Sequence, residues 1–160
     1  MKLKPTASAA ENARVALPKM ARRYFEAGRK AMHSKRPPEK LHAFRLETKR
    51  FRYTLELFRP LYGPNLDRYL KSLRELQGAL GKVSDYQAIQ RVLAGDRELK
   101  SRIERALKGK LRDLRQIWRA FDSPDQLKRW RTYLARQQAR PRAKRSSPRA
   151  SQKSAVAVPS

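Results

Sequence analysis

Apolar residues recur at spacings of three and four along most of this chain, and no segment alternates apolar and polar residues as a strand would. This periodicity is typical of amphipathic helices. It extends from about residue 10 to about residue 136, with interruptions at Pro37-Pro38, at Gly63-Pro64-Asn65 and at Ser123-Pro124. We therefore expect an all-α fold, a helical bundle built like a four-helix bundle.

Turn and capping residues divide the periodic region into six predicted helices: 10–32, 41–60, 66–80, 84–94, 97–121 and one that begins near residue 124. Gly81 stands where a left-handed residue would end the third helix. Ser84 with Gln87, and Ser123 with Gln126, fit capping boxes that open the fourth and the last helix. Core candidates on the first and fifth helices are Val15, Leu17, Met20, Tyr24, Phe25, Leu99, Ile103, Leu107, Leu111, Leu114, Trp118 and Phe121.

The length of 160 residues suffices for one domain with a proper core. We expect a flexible N-terminus over residues 1–9, the helical domain over residues 10–136, and a disordered basic tail over residues 137–160. The tail contains six Lys and Arg residues and no acidic residue. It cannot bury enough apolar surface to order itself.

The chain has 40 Lys and Arg against 14 Asp and Glu, a formal net charge of +26. Such an excess points to a polyanionic partner: nucleic acid, an anionic membrane surface or inorganic polyphosphate. Composition alone favours nucleic acid. The absence of cysteine excludes disulfides and thiolate metal sites and is compatible with a reducing cytosol. No apolar run approaches the roughly 20 residues of a membrane span. We expect no membrane partner.

The segment from Leu41 to Phe58 has an unusual distribution of charge around its helix. When the residues are placed around a helix at about 100° per residue, cations separate one wide apolar face from one narrow apolar face. The wide face contains Leu41, Phe44, Thr48, Phe51, Leu55 and Phe58; the narrow face contains Leu46, Tyr53 and Leu57; between them lie His42, Arg45, Lys49 and Arg52, the basic strip. A solvated charged face would lie opposite a single apolar stripe, so we expect the basic strip to line a groove flanked by packed helices.

The spacing of the basic strip suits a chain of phosphates. Neighbouring residues on the strip are about 5–6 Å apart, and the rise from His42 to Arg52 is about 15 Å. Arg offers a bidentate fork to phosphate oxygens, and Lys acts as a point charge. Glu56 lies on the same strip and is expected to temper or orient Arg52. The alternative is a solvated face or a ladder of salt bridges, an interpretation that we accept for Arg50 and Arg59.

Nothing in the sequence indicates catalysis, and we expect no cofactor and no metal. His33 and His42 are the only histidines, and there is no HExxH motif and no Gly-rich phosphate loop. Glu47 and Glu56 fall on different faces of one helix, so they do not form a carboxylate pair for acid–base chemistry.

Two runs, LHAFRLETKRFRYTLELF and LRELQGALGKVSDYQAI, resemble the signature of the CHAD domain, the conserved histidine α-helical domain. His42, Arg45, Lys49, Arg52 and Tyr53 match its first part, and Gln77, Leu80, Gly81 and Asp85 match its second. The resemblance implies a non-catalytic helical module that binds inorganic polyphosphate through a basic groove. It makes the basic strip the leading anion contact, with Arg74 and the weaker Lys71 as second candidates, and it gives Gln77, Gly81 and Asp85 structural roles. It also implies a cytoplasmic location, with polyphosphate granules as one place of association.

The resemblance leaves two alternatives open. Typical family members contain two related four-helix halves around a shared positive channel, whereas this chain shows one copy. Either one bundle acts as a smaller open site, or a homodimer rebuilds the channel. Nucleic acid stays as the alternative ligand, with the basic tail as an additional contact. Non-specific single-strand binders display aromatic rings for stacking, whereas Phe44, Phe51, Phe58, Trp118 and Trp130 fall at core spacing here.

Overall fold

The computed structural model describes residues 5–34, 37–93 and 97–136. Within those residues the chain forms six helices and no strand, which confirms the all-α prediction. The helices are α1 (Ala9–Met32), α2 (Pro37–Leu57), α3 (Arg59–Tyr62), α4 (Leu66–Val92), α5 (Arg97–Phe121) and α6 (Gln126–Ala135). The predicted tail over residues 137–160, and residues 1–4 of the predicted N-terminal segment, lie outside the described residues.

The first helix begins at a capping box, formed by Ser8 and Glu11, that was not predicted. Ser8 Oγ accepts a hydrogen bond from the backbone N–H of Glu11, and the Glu11 carboxylate accepts one from the backbone N–H of Ser8 at 2.8 Å. These bonds satisfy two backbone donors that a helix start leaves unpaired, and they lower the pKa of Glu11. From there α1 runs through Pro18 without interruption.

The four long helices α1, α2, α4 and α5 form the bundle. α2 lies against both α1 and α4, α4 lies against α5, and α6 lies against α1. The centre is rich in aromatic side chains. Tyr24 stacks between Phe44 and Phe51 with ring centroids 5.1 and 4.8 Å away. Its hydroxyl is 3.1 Å from Thr48 Oγ1, which donates to the Phe44 carbonyl at 2.8 Å, so both buried hydroxyls are satisfied.

The predicted break at Gly81 is wrong, because α4 is one helix of 27 residues. Gly81 is not left-handed, since the only positive-φ residue in the described part of the chain is Gly63. Ser84 and Gln87 consequently do not form a capping box. Leu80, Val83 and Gln87 are buried at helical spacing, so their packing against the core outweighs both the roughly 1 kcal/mol penalty of a helical glycine and the local capping signal.

The turn before the last helix also differs from its prediction. The helix begins at Gln126 rather than at Pro124, and its N-cap residue in the described structure is Asp125, which makes no side-chain capping bond. The backbone N–H of Gln126 donates to the Ser123 carbonyl at 2.9 Å, which is a backbone turn rather than a capping box. The second predicted helix likewise ends early, at Leu57, and Pro60 belongs to the short α3.

Two predicted core residues face solvent. Val15 is 61% exposed and Leu99 is 36% exposed. Most of the others are buried or pack against the core. Helical spacing identifies the apolar side of a helix, but it does not show whether another element covers that side along its whole length. Val15 and Leu99 both lie near the start of their helices, where the apolar side is left uncovered.

Candidate functional site

The basic strip lies where α2 packs against α4. Arg45, Lys49 and Arg52 are partly buried there, and His42 is exposed near the start of the helix. The wide apolar face explains this placement. Leu41, Phe44, Thr48, Phe51 and Leu55 are buried in the core. Arg52, Arg45 and Lys49 are rotated roughly 70°, 90° and 130° from the centre of that face, so they lie at the boundary with the neighbouring helix.

Arg52 is the most restrained member of the basic strip. Its Nε donates to Gln77 Oε1 at 2.9 Å, and its Nη1 donates to Glu56 Oε1 at 2.6 Å. Its guanidinium also lies over the Tyr53 ring, 4.3 Å from the centroid. Only 14% of the side chain is exposed. The guanidinium is therefore fixed in position, with little side-chain entropy left to lose when a ligand binds.

Glu56 joins the two helices. Its Oε1 accepts from Arg52 on α2 and also from Arg74 Nη2 on α4 at 3.2 Å. The expectation that Glu56 contacts Arg52 is confirmed, and Arg74, predicted from the neighbouring helix, lies beside the strip. Lys71 is exposed one turn before Arg74. The Glu56 carboxylate thus contacts two of the cations, Arg52 and Arg74, and Arg45 and Lys49 leave the strip with an excess of positive charge.

The pairs Arg52–Gln77 and Glu56–Arg74 fix the register of two antiparallel helices. Extending that register toward the start of α2 places Leu80 and Gly81 across from Lys49, and Ser84 and Asp85 across from Arg45. At the Arg45 level the structure holds an unusual atom: Arg45 Nε is buried, and it has no hydrogen-bond partner among the described residues. A buried donor without a partner carries a desolvation penalty.

The second wall expected for the basic strip is missing from the described structure. Leu46, Tyr53 and Leu57 are 40%, 55% and 74% exposed, so the narrow apolar face points to solvent instead of packing against a helix. Its angular position explains the outcome, because the narrow face lies almost opposite the wide one. The strip is therefore bounded by α4 on one side and by an exposed apolar row on the other.

The strip is also separate from a large concavity on the other side of α2. A cavity of about 1610 Å³ lies along α1 and the other flank of α2, where Glu47, Arg50 and Thr54 line it. An open, elongated arrangement of cations suits an extended polymer better than an enclosed small molecule. Arg50 pairs with Glu47 at 2.9 Å and Arg59 pairs with Asp67 at 2.9 Å, which confirms the salt-bridge interpretation of these two arginines.

Gln77 is the residue of this site whose contact the sequence reasoning missed. It was assigned a structural role, yet its side chain positions the guanidinium of Arg52 directly. The available signal was its spacing from Arg74, since the two residues lie three apart on α4 and hence on one flank. That flank could be matched to the basic strip only once the packing of α2 on α4 was known.

Two further observations describe what surrounds the site. Across residues 5–34, 37–93 and 97–136 no group of three or more His, Cys, Asp or Glu is placed to hold a metal ion. In that same part of the chain no helix is both long enough and apolar enough to span a membrane.

Comparison with known proteins gives one match. The model of the CHAD domain family matches residues 1–94, which contain α1 to α4 and therefore the basic strip with its α4 partners. The helices α5 and α6 lie beyond the matched range. No curated protein and no solved structure matched the chain.

Proposed function

The chain belongs to the CHAD domain family, and on that basis and from the arrangement of its cations we propose that it binds inorganic polyphosphate along the basic strip. His42, Arg45, Lys49 and Arg52 supply the main contacts, with Arg74 beside them and Lys71 at the edge. A polyphosphate chain carries a negative charge on every phosphate and no other group to recognise. Dense, regularly spaced cations are therefore what such a ligand requires.

The observation that carries the proposal is the unpaired, buried Nε of Arg45 in the described structure, within a row of partly buried cations. Arg50 and Arg59 each pair with a carboxylate of their own, and Arg52 and Arg74 share the single carboxylate of Glu56. Arg45 has a desolvated donor, and charge-assisted hydrogen bonds to phosphate are strongest where water is partly excluded.

Nucleic acid is the second candidate, and one observation favours it. Phe44, Phe51, Trp118 and Trp130 are buried and so unavailable for stacking. Tyr53, however, is 55% exposed immediately beside the strip, where a base could stack on its ring. If nucleic acid is the ligand, Tyr53→Ala will weaken binding by about 1–3 kcal/mol per stacked base. Polyphosphate has no base to stack, so Tyr53→Ala should affect its affinity only through the contact of the ring with the Arg52 guanidinium, and by less than the loss for RNA.

We further propose that the module is non-catalytic, cytoplasmic, and associated with polyphosphate granules. No cofactor enters the proposal, because binding needs only the side chains named above. Self-association through the exposed row Leu46, Tyr53 and Leu57 is part of the proposal as well. Because each chain has a formal net charge of +26, two copies repel each other until a shared polyanion neutralises that charge. Sedimentation velocity with and without short polyphosphate tests this, and a Leu46→Ser/Leu57→Ser variant should stay monomeric in both.

The experiment that tests the proposed function is a competition titration at near-physiological salt. Labelled long-chain polyphosphate is bound to the full chain and displaced by unlabelled polyphosphate or by single-stranded RNA of matched charge. We expect polyphosphate to displace the label at a much lower concentration than RNA, for the wild-type chain and for Tyr53→Ala alike. Preferential displacement by RNA, lost in Tyr53→Ala, would establish nucleic acid as the ligand instead.

A further inference from the structure

Gly81 lies in the middle of α4 without any role in the fold that the structure reveals. A helix-interior glycine is unfavourable relative to alanine, so it usually marks a left-handed turn or a close contact. Gly63 has a positive φ. At Gly28 an added Cβ would collide with the Trp118 ring. At Gly81 neither applies: an added Cβ would meet no heavy atom within 4 Å in the described structure.

The position of Gly81 connects this open space to the basic strip. The register fixed by Arg52–Gln77 and Glu56–Arg74 places Leu80 and Gly81 across from Lys49. Leu80 is buried in the core, so Gly81 is the one of the two that lies toward the surface. Lys49 is partly buried, as is Gly81. The space that a side chain at position 81 would occupy therefore lies beside the cations, on the α4 side of the strip.

A second observation points to a ligand at the same place. One turn further along the register, Arg45 Nε is buried and has no partner in the described part of the chain. Buried side-chain donors are nearly always satisfied by protein or by an ordered solvent or ligand atom. A phosphate chain that lies along Lys49 and the backbone of α4 would bring an acceptor oxygen to the level of Arg45.

We infer that Gly81 is the point at which bound polyphosphate approaches the backbone of α4, and that this close approach selects an unsubstituted phosphate chain over nucleic acid. The inference rests on the proposed function and assigns a specificity-determining position to its site. In polyphosphate every phosphate carries only oxygen, so the chain is thin along its whole length. In RNA each phosphate is followed by a ribose that carries a base. These bulkier groups prevent the RNA backbone from lying flat against α4, so RNA contacts only the outer cations.

The test compares Gly81→Ala and Gly81→Leu with a matched control, Gly109→Ala. Gly109 lies inside α5 and is partly buried like Gly81. A Cβ added at Gly109 also meets no heavy atom of the described structure within 4 Å. Both alanine variants should raise the melting temperature by about 2–4 °C, because both remove a helical glycine. Binding of long-chain polyphosphate and of single-stranded RNA is then measured on the full chain for each variant.

We expect Gly81→Ala to weaken polyphosphate binding about threefold and Gly81→Leu by about tenfold or more, a loss of roughly 1.4 kcal/mol or more. RNA affinity should stay within about twofold, and Gly109→Ala should bind both ligands like the wild type. Wild-type polyphosphate affinity in both Gly81 variants, or an equal loss for polyphosphate and RNA, would overturn the inference. If Arg45→Glu/Lys49→Glu still abolishes binding in that case, the proposed function stands and the role of Gly81 alone is wrong. A wild-type chain that does not bind polyphosphate would overturn both.

Discussion

Replacing Gly28 by alanine should destabilise the bundle, because α1 and α5 meet at this residue. A Cβ at position 28 would lie 2.6 Å from Cζ3 and 2.7 Å from Cζ2 of Trp118, and closer still to Cη2. Carbon atoms in contact prefer about 3.5–4.0 Å, so the ring must move by about 1 Å. Trp118 is only 5% exposed and is packed against Phe44 and Phe121 at 5.4 and 5.6 Å.

The size of the effect follows from two opposing contributions. Overpacking of a close-packed core destabilises by about 1–3 kcal/mol, and the upper end applies because the ring is held on several sides. Alanine regains roughly 1 kcal/mol of helix propensity. The net loss is about 2 kcal/mol, which corresponds to a fall in melting temperature of roughly 4–8 °C for a chain of this size.

Urea unfolding followed by circular dichroism measures this loss directly. The double variant Gly28→Ala/Trp118→Phe supplies the control, since the smaller ring leaves room for the methyl group. Residues in contact are energetically coupled, so the double variant should be less destabilised than the sum of the two single variants. A Gly28→Ala chain as stable as the wild type, or perfect additivity in the cycle, would refute the close approach of the Trp118 ring to Gly28.

Three further predictions concern the site and the stability of the fold. Glu56→Gln should strengthen polyphosphate binding about two- to fivefold at low salt in a titration, because it removes the carboxylate that pairs with Arg52 and Arg74; weaker binding would show that Glu56 serves mainly to position these two arginines. Burial raises the pKa of Tyr62 to about 12, so the stability that its neutral form contributes is complete below pH 10 and is lost as the pH rises from 10 towards 12. Tyr62→Phe should lose about 1 kcal/mol at pH 7, because the Tyr62 hydroxyl donates to the Leu134 carbonyl at 2.6 Å, and it should show a smaller alkaline loss in urea titrations; an unchanged alkaline profile would contradict this. Deleting residues 137–160 should weaken binding only modestly and mainly at low salt, as screened long-range charge does; complete loss in the same titration would place the site in the tail.

The helical architecture and the basic strip could be predicted because both depend on spacing within one helix. The core positions Phe44, Phe51 and Leu55 and the cations Arg45, Lys49 and Arg52 are fixed relative to each other by the helix geometry alone. Helix geometry does not determine whether a neighbouring helix covers a given flank. Leu46, Tyr53 and Leu57 have the same periodicity as a packed face, yet they are exposed.

The errors along α4 have a different origin. Gly81 and Ser84 carry local signals for a helix end and a helix start, and such signals contribute about 1 kcal/mol each. The burial of Leu80 and Val83 against the rest of the core is worth more than that. The contact between Gln77 and Arg52 depends on the register of α4 against α2, which no property of either helix determines separately.

Reversing the charge of Arg45 and Lys49 together, as Arg45→Glu/Lys49→Glu, tests the central claim most directly. The matched control is Lys108→Glu/Arg112→Glu on α5: it exchanges the same two residue types, four apart, at exposed positions, and changes the net charge by the same amount. Arg45→Gln/Lys49→Gln serves as a milder pair, and circular dichroism checks that each variant keeps its helices.

The measurement is the affinity for long-chain polyphosphate at near-physiological salt. We predict that the Arg45 and Lys49 reversal abolishes binding, that the glutamine pair weakens it strongly, and that the α5 control changes it little. Equal losses in the two charge reversals would mean that net charge alone holds the polymer. Unchanged affinity in a folded Arg45→Glu/Lys49→Glu chain would contradict the assignment of the site to the basic strip.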